Sequence, residues 1–378
     1  MELVLTNARV VTAEAVFTGT LLLRNGIISE LDTRPSGLPG ALDLEGDYLL
    51  PGLVELHTDN LEKHFNPRPG VFWPALSAVL AHDAQMVASG ITTVFDALAV
   101  GTTVEESRRL EYLETLTGAV SEAQSRGMAR AEHRLHMRCE VSSANLLELW
   151  EPFCDHHMVS LVSAMDHSPG QRQFADIEKY RYYYQGKHGF SDTEMDDFIA
   201  RQTQAGETHG PANREALVAS CQRRELPLAS HDDATEAHVL EAVGHGMVIA
   251  EFPTTLTAAR VSRKHGMRVL MGAPNLVRGR SHSGNVSALE LAREGLVNIL
   301  SSDYMPISLL QGAFHLHRLV DLPLPAAIAT VSLTPARVIG LDDRGEIAPG
   351  RRADLIRVRD IGEMPVVREV WRAGERVF

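Results

Sequence analysis

Eight short apolar runs recur along the middle of the chain, each separated from the next by polar or amphipathic stretches. They are LVEL (53–56), ITTVFDAL (91–98), HRLHMRCEV (133–141), MVSLVSAM (158–165), LPLAS (226–230), GMVIAEF (246–252), MRVLMGA (267–273) and LVNILSS (296–302). Between them lie helix-period segments such as Glu105 to Arg126 and Thr235 to Val243. Repeated strand-then-helix units call for a parallel sheet, and eight of them for a closed (β/α)₈ barrel of the TIM type.

The two ends read differently. LVLTNARVV and TLLLRNGIISEL alternate as hairpin strands with Asn25-Gly26 as a turn signal, and alternation returns in ADLIRV and VVREVWRAGERVF, where Ala373-Gly374 marks another turn. Residues 1–50 and 335–378 are therefore expected to compose one small β-sandwich domain, and residues 51–334 the barrel. A polar and aromatic insertion near residues 170–206 interrupts the barrel rhythm; insertions of that length tend to be functional or lid-like.

Composition narrows the partners. The 378 residues, 44% hydrophobic and 22% charged, describe an ordinary globular protein large enough for a barrel. A formal charge of -13 argues against nucleic acid or an anionic membrane surface, which select basic faces. No secretory leader or long apolar span is evident, and the three cysteines, Cys139, Cys154 and Cys221, are widely spaced, so a cytoplasmic chain with buried reduced thiols is expected. Self-association is compatible with this composition.

Barrels of this kind place their chemistry at strand C-termini. Here LVEL ends in His57-Thr58-Asp59, HRLHMRCEV carries Glu140, MVSLVSAM runs into Asp166-His167, LPLAS into His231-Asp232-Asp233, and LVNILSS into Asp303. A polar residue after one strand usually only begins a loop; acids and imidazoles after five strands at one end of a barrel point to a shared site. The i, i+2 spacing turns His57 and Asp59 to one face of an extended strand. The imidazoles of His57, His167 and His231 with the carboxylates of Asp59, Glu140 and Asp303 form a nitrogen and oxygen ligand set suited to zinc, manganese, iron or cobalt. Three carboxylates and a hydroxide balance two divalent cations, a pairing that generates a nucleophile at neutral pH and clamps an anionic transition state.

With these residues in view, PGLVELHTD, ADLIRV and SSDYMP resemble the first-strand, C-terminal-strand and last-strand motifs of the amidohydrolase superfamily, whose barrels are flanked by a β-sandwich from both chain ends. The resemblance spans essentially the whole chain. It departs at one place, His57-x-Asp59 standing where the superfamily usually has His-x-His. The longer strings ELHTDNLEKHFNPRPGV, RCEVSS, MDHSPGQRQF, ASHDD, GAPNLVRGRSHSGN and SSDYMP resemble the phosphonate-utilisation hydrolases of the carbon-phosphorus lyase pathway. That resemblance implies hydrolysis of α-D-ribose 1-methylphosphonate 5-triphosphate to the 5-phosphate and pyrophosphate. It implies two divalent metal ions (zinc, manganese or iron) on His57, Asp59, Glu140, His167, His231 and Asp303, with Asp303 also accepting a proton from the attacking water. It favours Lys63, His64, Arg172, Arg278, Ser281 and His282 as phosphate contacts, and Asn275 belongs to a glycine-bearing loop suited to an anion. The other readings are an amidohydrolase acting on a cyclic amide or an N-acetylated sugar phosphate, and a catalytically inactive scaffold.

Overall fold

The computed structural model describes residues 2–102, 109–174, 177–281, 284–362 and 364–378. Every apolar run becomes a strand. Five strands precede the barrel: β1 (Glu2–Val11), β2 (Val16–Arg24), β3 (Ile27–Asp32), β4 (Leu42–Asp43) and β5 (Tyr48–Pro51). The barrel strands are β6 (Leu53–Thr58), β7 (Ile91–Val100), β8 (Glu132–Glu140), β9 (Val159–Met165), β10 (Leu228–His231), β11 (Ile249–Glu251), β12 (Arg268–Gly272) and β13 (Ile299–Ser301). After them come β14 (Leu355–Asp360), β15 (Pro365–Arg372) and β16 (Glu375–Arg376).

The barrel strands run parallel in the order β13-β12-β11-β10-β9-β8-β7-β6, and a parallel bridge from Thr58 to Asp303 joins the last strand to the first. The strand β8 shows how the wall is built. Leu135, Met137 and Cys139 point outward into the large core between strands and helices, while His136, Arg138 and Glu140 alternate with them toward the barrel lumen. The lumen's lower half is closed by a smaller apolar cluster that includes Val54, Leu56, Phe95, Leu161, Ile249, Leu270 and Ile299. The polar half above it is where chemistry can occur.

The chain ends meet in a second sheet ordered β16-β15-β14-β5-β1-β2-β3, with β4 beside β1. It has its own core of Leu5, Leu21, Leu23, Leu49, Leu355, Trp371 and neighbours. Asn25 and Gly26 both have positive φ, as the tight hairpin signal requires, and so do Ala373 and Gly374. Gly52 links the sheet to the barrel; a Cβ there would lie 2.3 Å from Thr92 Oγ1, so only glycine lets β5 pass this closely into β6.

The helix expected from Glu105 is described from Arg109 to Ser125, its first residues lying outside the described ones. That expected from Thr235 runs Glu236–Gly244 with the Thr235 side chain as N-cap. The insertion holds a short turn at Arg172–Phe174, a helix Ile177–His188 and a long helix Asp192–Gln222, started by a capping box between Ser191 and Glu194. It carries a separate aromatic core of Phe174, Tyr180, Tyr184, Met195 and Phe198. Cys139, Cys154 and Cys221 are all buried free thiols. Among the described residues no helix is long and apolar enough to cross a membrane.

Candidate functional site

A cavity of about 740 Å³ opens at the C-terminal end of the barrel strands, and His57, Asp59, Glu140, His167, His231 and Asp303 all line it. The six residues singled out from strand ends thus meet in one chamber. The strand β6 stops at Thr58, and Asp59 is already the N-cap position of the helix Asn60–Phe65, yet it still faces the chamber beside His57.

Backbone bonds fix the seam between the first and last strands. Asp303 N–H donates to the His57 carbonyl at 3.1 Å, and the Asp303 carbonyl accepts from Asp59 N–H at 3.3 Å and from Thr58 Oγ1 at 3.0 Å. The Glu55 carboxylate, fully buried, accepts from His57 N–H at 2.8 Å and Ser302 N–H at 2.6 Å, and burial pushes its pKa up to about 7. Asp232, Phe252 and Asp303, at the ends of three strands, hold positive φ values of 57°, 54° and 53°. Non-glycine residues pay strain for that conformation, and such strain gathers at functional sites.

One residue organises two of the imidazoles. Glu251, absent from the sequence-based set, is fully buried on β11 and takes His57 Nδ1 on one carboxylate oxygen at 2.6 Å and His231 Nδ1 on the other at 2.7 Å. Ser163 Oγ donates to it at 2.8 Å, and His136 reaches Ser163 at 2.5 Å and the Leu56 carbonyl at 2.9 Å. Although burial opposes ionisation, the facing imidazoles hold the Glu251 carboxyl well below its ordinary range. His136, whose pKa burial lowers to about 3, is a neutral structural group. With Nδ1 of His57 and His231 committed, Nε2 is the nitrogen each ring has left for a ligand, the arrangement by which carboxylates commonly orient metal-binding histidines.

His167 is held from both sides. Its Nδ1 lies 2.6 Å from Glu140, whose other oxygen accepts from Ser142 Oγ at 2.6 Å and His167 N–H at 3.1 Å. Its Nε2 lies 3.8 Å from Asp232, which is also 3.3 Å from His231 Nε2. Burial works against protonating His167, but the two carboxylates prevail and raise its pKa to about 9. A site this anionic suits a cation. His167, His231 and Asp232 bring ligand atoms within 4.8 Å of one another, and Asp59 Oδ1 is buried without a hydrogen-bond partner. That orphaned oxygen, aimed into a chamber of imidazoles and carboxylates, fits a bound metal ion.

The expected phosphate contacts divide. Arg278, the last residue of the helix Ala273–Arg278 that follows β12, lines the cavity, as do Arg280 and Ser281 just beyond it. Asn275 lines it too, but it lies in that helix and not in the expected loop, and its amide ties the helix to the following segment, donating to the Val286 carbonyl at 3.1 Å and accepting from Ala288 N–H at 3.0 Å. Lys63 donates to the Tyr304 carbonyl and sits over the Tyr304 ring, and His64 Nε2 contacts Gln85 at 2.9 Å; neither lines the cavity, although Tyr304 does. His282 lies outside the described residues.

Arg172 is placed away from the chamber. It is buried and ion-paired to Asp233, two residues after His231, and to Glu241 at 2.9 Å. Arg214 of the long insertion helix bonds Glu241 at 2.6 Å and Asp166, next to His167, at 3.1 Å. The chain of charges Asp166, Arg214, Glu241, Arg172 and Asp233 thus fastens the insertion behind two site histidines, and its guanidinium groups are spent there. The insertion's Phe174, Tyr183 and Tyr184 form part of the cavity wall.

A strand-seam site of imidazoles and carboxylates at the mouth of a (β/α)₈ barrel defines the class. The chain belongs to the amidohydrolase family, whose model matches residues 84–378. Across 381 aligned residues, and the full length of both chains, it is 52% identical to the α-D-ribose 1-methylphosphonate 5-triphosphate diphosphatase of Escherichia coli (strain K12). Among solved structures it resembles N-isopropylammelide isopropylaminohydrolase from Burkholderia multivorans, with TM-score 0.65, 17% identity and coverage of 100% of this chain and 98% of that one. It also resembles N-acetylglucosamine-6-phosphate deacetylase from Pasteurella multocida, with TM-score 0.63, 13% identity and coverage of 100% and 99%. At those identities the structures share the fold alone.

Proposed function

We propose that this protein hydrolyses α-D-ribose 1-methylphosphonate 5-triphosphate to the 5-phosphate and pyrophosphate, as a cytoplasmic step of phosphonate catabolism. The observation that carries the reading is the 52% identity to the Escherichia coli diphosphatase over the whole of both chains. The cavity supports it by joining a cation-seeking floor to an arginine-bearing rim.

His57, Asp59, His231 and Asp303, with His167, Glu140 and the adjacent Asp232, would hold two divalent ions, zinc, manganese or iron by their donor chemistry. Bound there, such ions supply Lewis acidity toward phosphoryl oxygens and make water acidic enough to attack near neutral pH. The chain's own groups do the rest. The Glu251 carboxylate keeps His57 and His231 in one orientation. The Asp303 carboxylate, on a backbone pinned to His57 and Asp59, takes the proton of the water that attacks the α-phosphorus. A new P–O bond forms there, and the bridge to the β-phosphorus breaks with its electron pair leaving on pyrophosphate. Arg278 and Arg280 at the rim offer planar forks to the phosphates that leave.

The test is to incubate metal-loaded protein with the ribose triphosphate, and separately with ATP, and follow products by phosphorus NMR. Pyrophosphate and the 5-phosphate are expected from the first; orthophosphate as the sole product would rule out α-attack.

A further inference from the structure

A cation stands inside the chamber that the assignments above do not use. Arg138 lies on β8, two residues before Glu140, and lines the same cavity. In the parallel register it is level with Ala99 of β7 and Ser163 of β9; Ala99 also lines the cavity, and Ser163 bonds Glu251 in the lumen. The position is therefore one pleat deeper than Glu140, in the row of the Ser163 that bonds Glu251, whereas Arg278 and Arg280 are exposed at the rim.

What distinguishes Arg138 is its lack of a partner. Its Nε is buried with no hydrogen bond, and no carboxylate pairs with it among the described residues. The contrast with its neighbours is sharp: Arg172 and Arg214 are each held by two carboxylates, and Arg134, four residues earlier on the same strand, is bound to Glu132. Arg138 stands in a chamber with Asp59, Glu140, Asp232 and Asp303 and pairs with none of them. Guanidinium stays charged at any working pH, so a half-buried fork without an anion is costly unless an anion arrives. Its charge is felt at His57 and at His136, which places it on the His57 side of the floor.

We propose that Arg138 is the group that grips the phosphoryl under attack, its fork on the non-bridging oxygens of the α-phosphate, while the rim arginines hold the departing pyrophosphate. This rests on the diphosphatase reading for the identity of the phosphate, though not for the presence of an anion site. As water adds to the α-phosphorus, negative charge on those oxygens rearranges within reach of a donor already in place. A preorganised donor of that kind acts mainly on turnover. The rim groups act mainly on binding.

The experiment compares wild type, Arg138→Met, Arg138→Lys and Arg278→Met, all metal-loaded, in three readouts: metal content, binding of inorganic phosphate followed by phosphorus NMR, and kcat and KM for pyrophosphate release. Expected for Arg138→Met are unchanged metal content, weakened phosphate binding and a kcat lower by roughly 100-fold to 1,000-fold. Arg278→Met should raise KM with kcat nearly kept. Arg138→Lys, which retains charge without the fork, should recover only part of the kcat. If Arg138→Met does not fold, the lysine variant decides: a kcat at least tenfold down with weakened phosphate binding supports the assignment, and wild-type values overturn it. Arg138→Met with full turnover and undiminished phosphate binding overturns it as well. Wild type that binds phosphate through Arg138 yet releases no pyrophosphate would leave the anion site standing and remove the diphosphatase reading.

Discussion

Asp303 and His57 are tied backbone to backbone: the Asp303 amide donates to the His57 carbonyl at 3.1 Å, so the last barrel strand presents its carboxylate at a fixed height above the first. The side chain of Asp303 plays no part in that bond. Asp303→Asn should therefore leave the fold intact and, compared with wild type at saturating metal, lower kcat by about 100-fold or more, the usual worth of a positioned proton acceptor. A variant that binds metal and keeps full turnover would show that the proton goes elsewhere.

Glu251 makes a different prediction, because its two oxygens serve two imidazoles at once. In Glu251→Gln one of those oxygens becomes an amide nitrogen, which cannot accept from an imidazole N–H, and one ring is released to turn. Metal affinity should drop by about 10-fold to 100-fold, read by competition with a chelator, with activity partly restored by excess metal. Unchanged affinity would mean that packing alone holds the rings.

The sequence carried the first prediction more readily than the second, for a physical reason. His57, Asp59, His167, His231 and Asp303 end apolar runs, where polar residues stand out. Glu251 sits inside GMVIAEF and Arg138 inside HRLHMRCEV, where the apolar neighbours that make the strand also mask a residue facing the lumen. The signal that could have found Arg138 was the alternation His136, Arg138, Glu140 on one face of the strand. Glu251 offered a weaker one, a lone acid in an otherwise apolar strand. Arg172 shows the opposite limit. Its partners Asp233 and Glu241 come from another part of the chain, and nothing local announces that its charge is already matched.

Arg172 accordingly has a stability phenotype. Arg172→Met strands Asp233 as a buried carboxylate without its cation, and the cost should be about 3–5 kcal/mol in unfolding free energy. Adding Asp233→Asn should return much of that loss, a coupling that a double-mutant cycle in denaturant measures. If Arg172→Met instead unfolds like wild type and only raises KM, Arg172 would be reaching the substrate after all.

A fourth prediction concerns pH. Behind the site, Asp96 on β7 is shared by two buried imidazoles, His82 Nε2 at 2.7 Å and His133 Nδ1 at 2.7 Å, and His133 also meets Asp83 at 3.3 Å. Burial lowers both histidines. For His133 two carboxylates overcome it and raise the pKa to about 9, while His82, next to Asp96 alone, stays below its ordinary value and remains neutral. A raised histidine stabilises the fold fully below its unfolded pKa of about 6.5, and that stability is lost as pH climbs through about 9. The melting temperature should therefore decline between pH 7 and pH 10. Asp96→Asn should start lower at pH 7 and decline less; a parallel decline in both proteins would place the effect outside this cluster.

The bridge from Thr58 to Asp303 has a consequence for the order of events during synthesis. A nascent chain that has emerged as far as the insertion already carries His57, Asp59, Glu140 and His167, yet it has neither His231, Glu251 nor Asp303, and its ring is still open. If these donors hold ions, capture would wait until the eighth strand has zipped onto the first, and a truncated or stalled chain would hold only a half-built set of donors. Occupancy of the site by metal would then report that the ring has closed, and the ion would seal finished folding as well as serve catalysis.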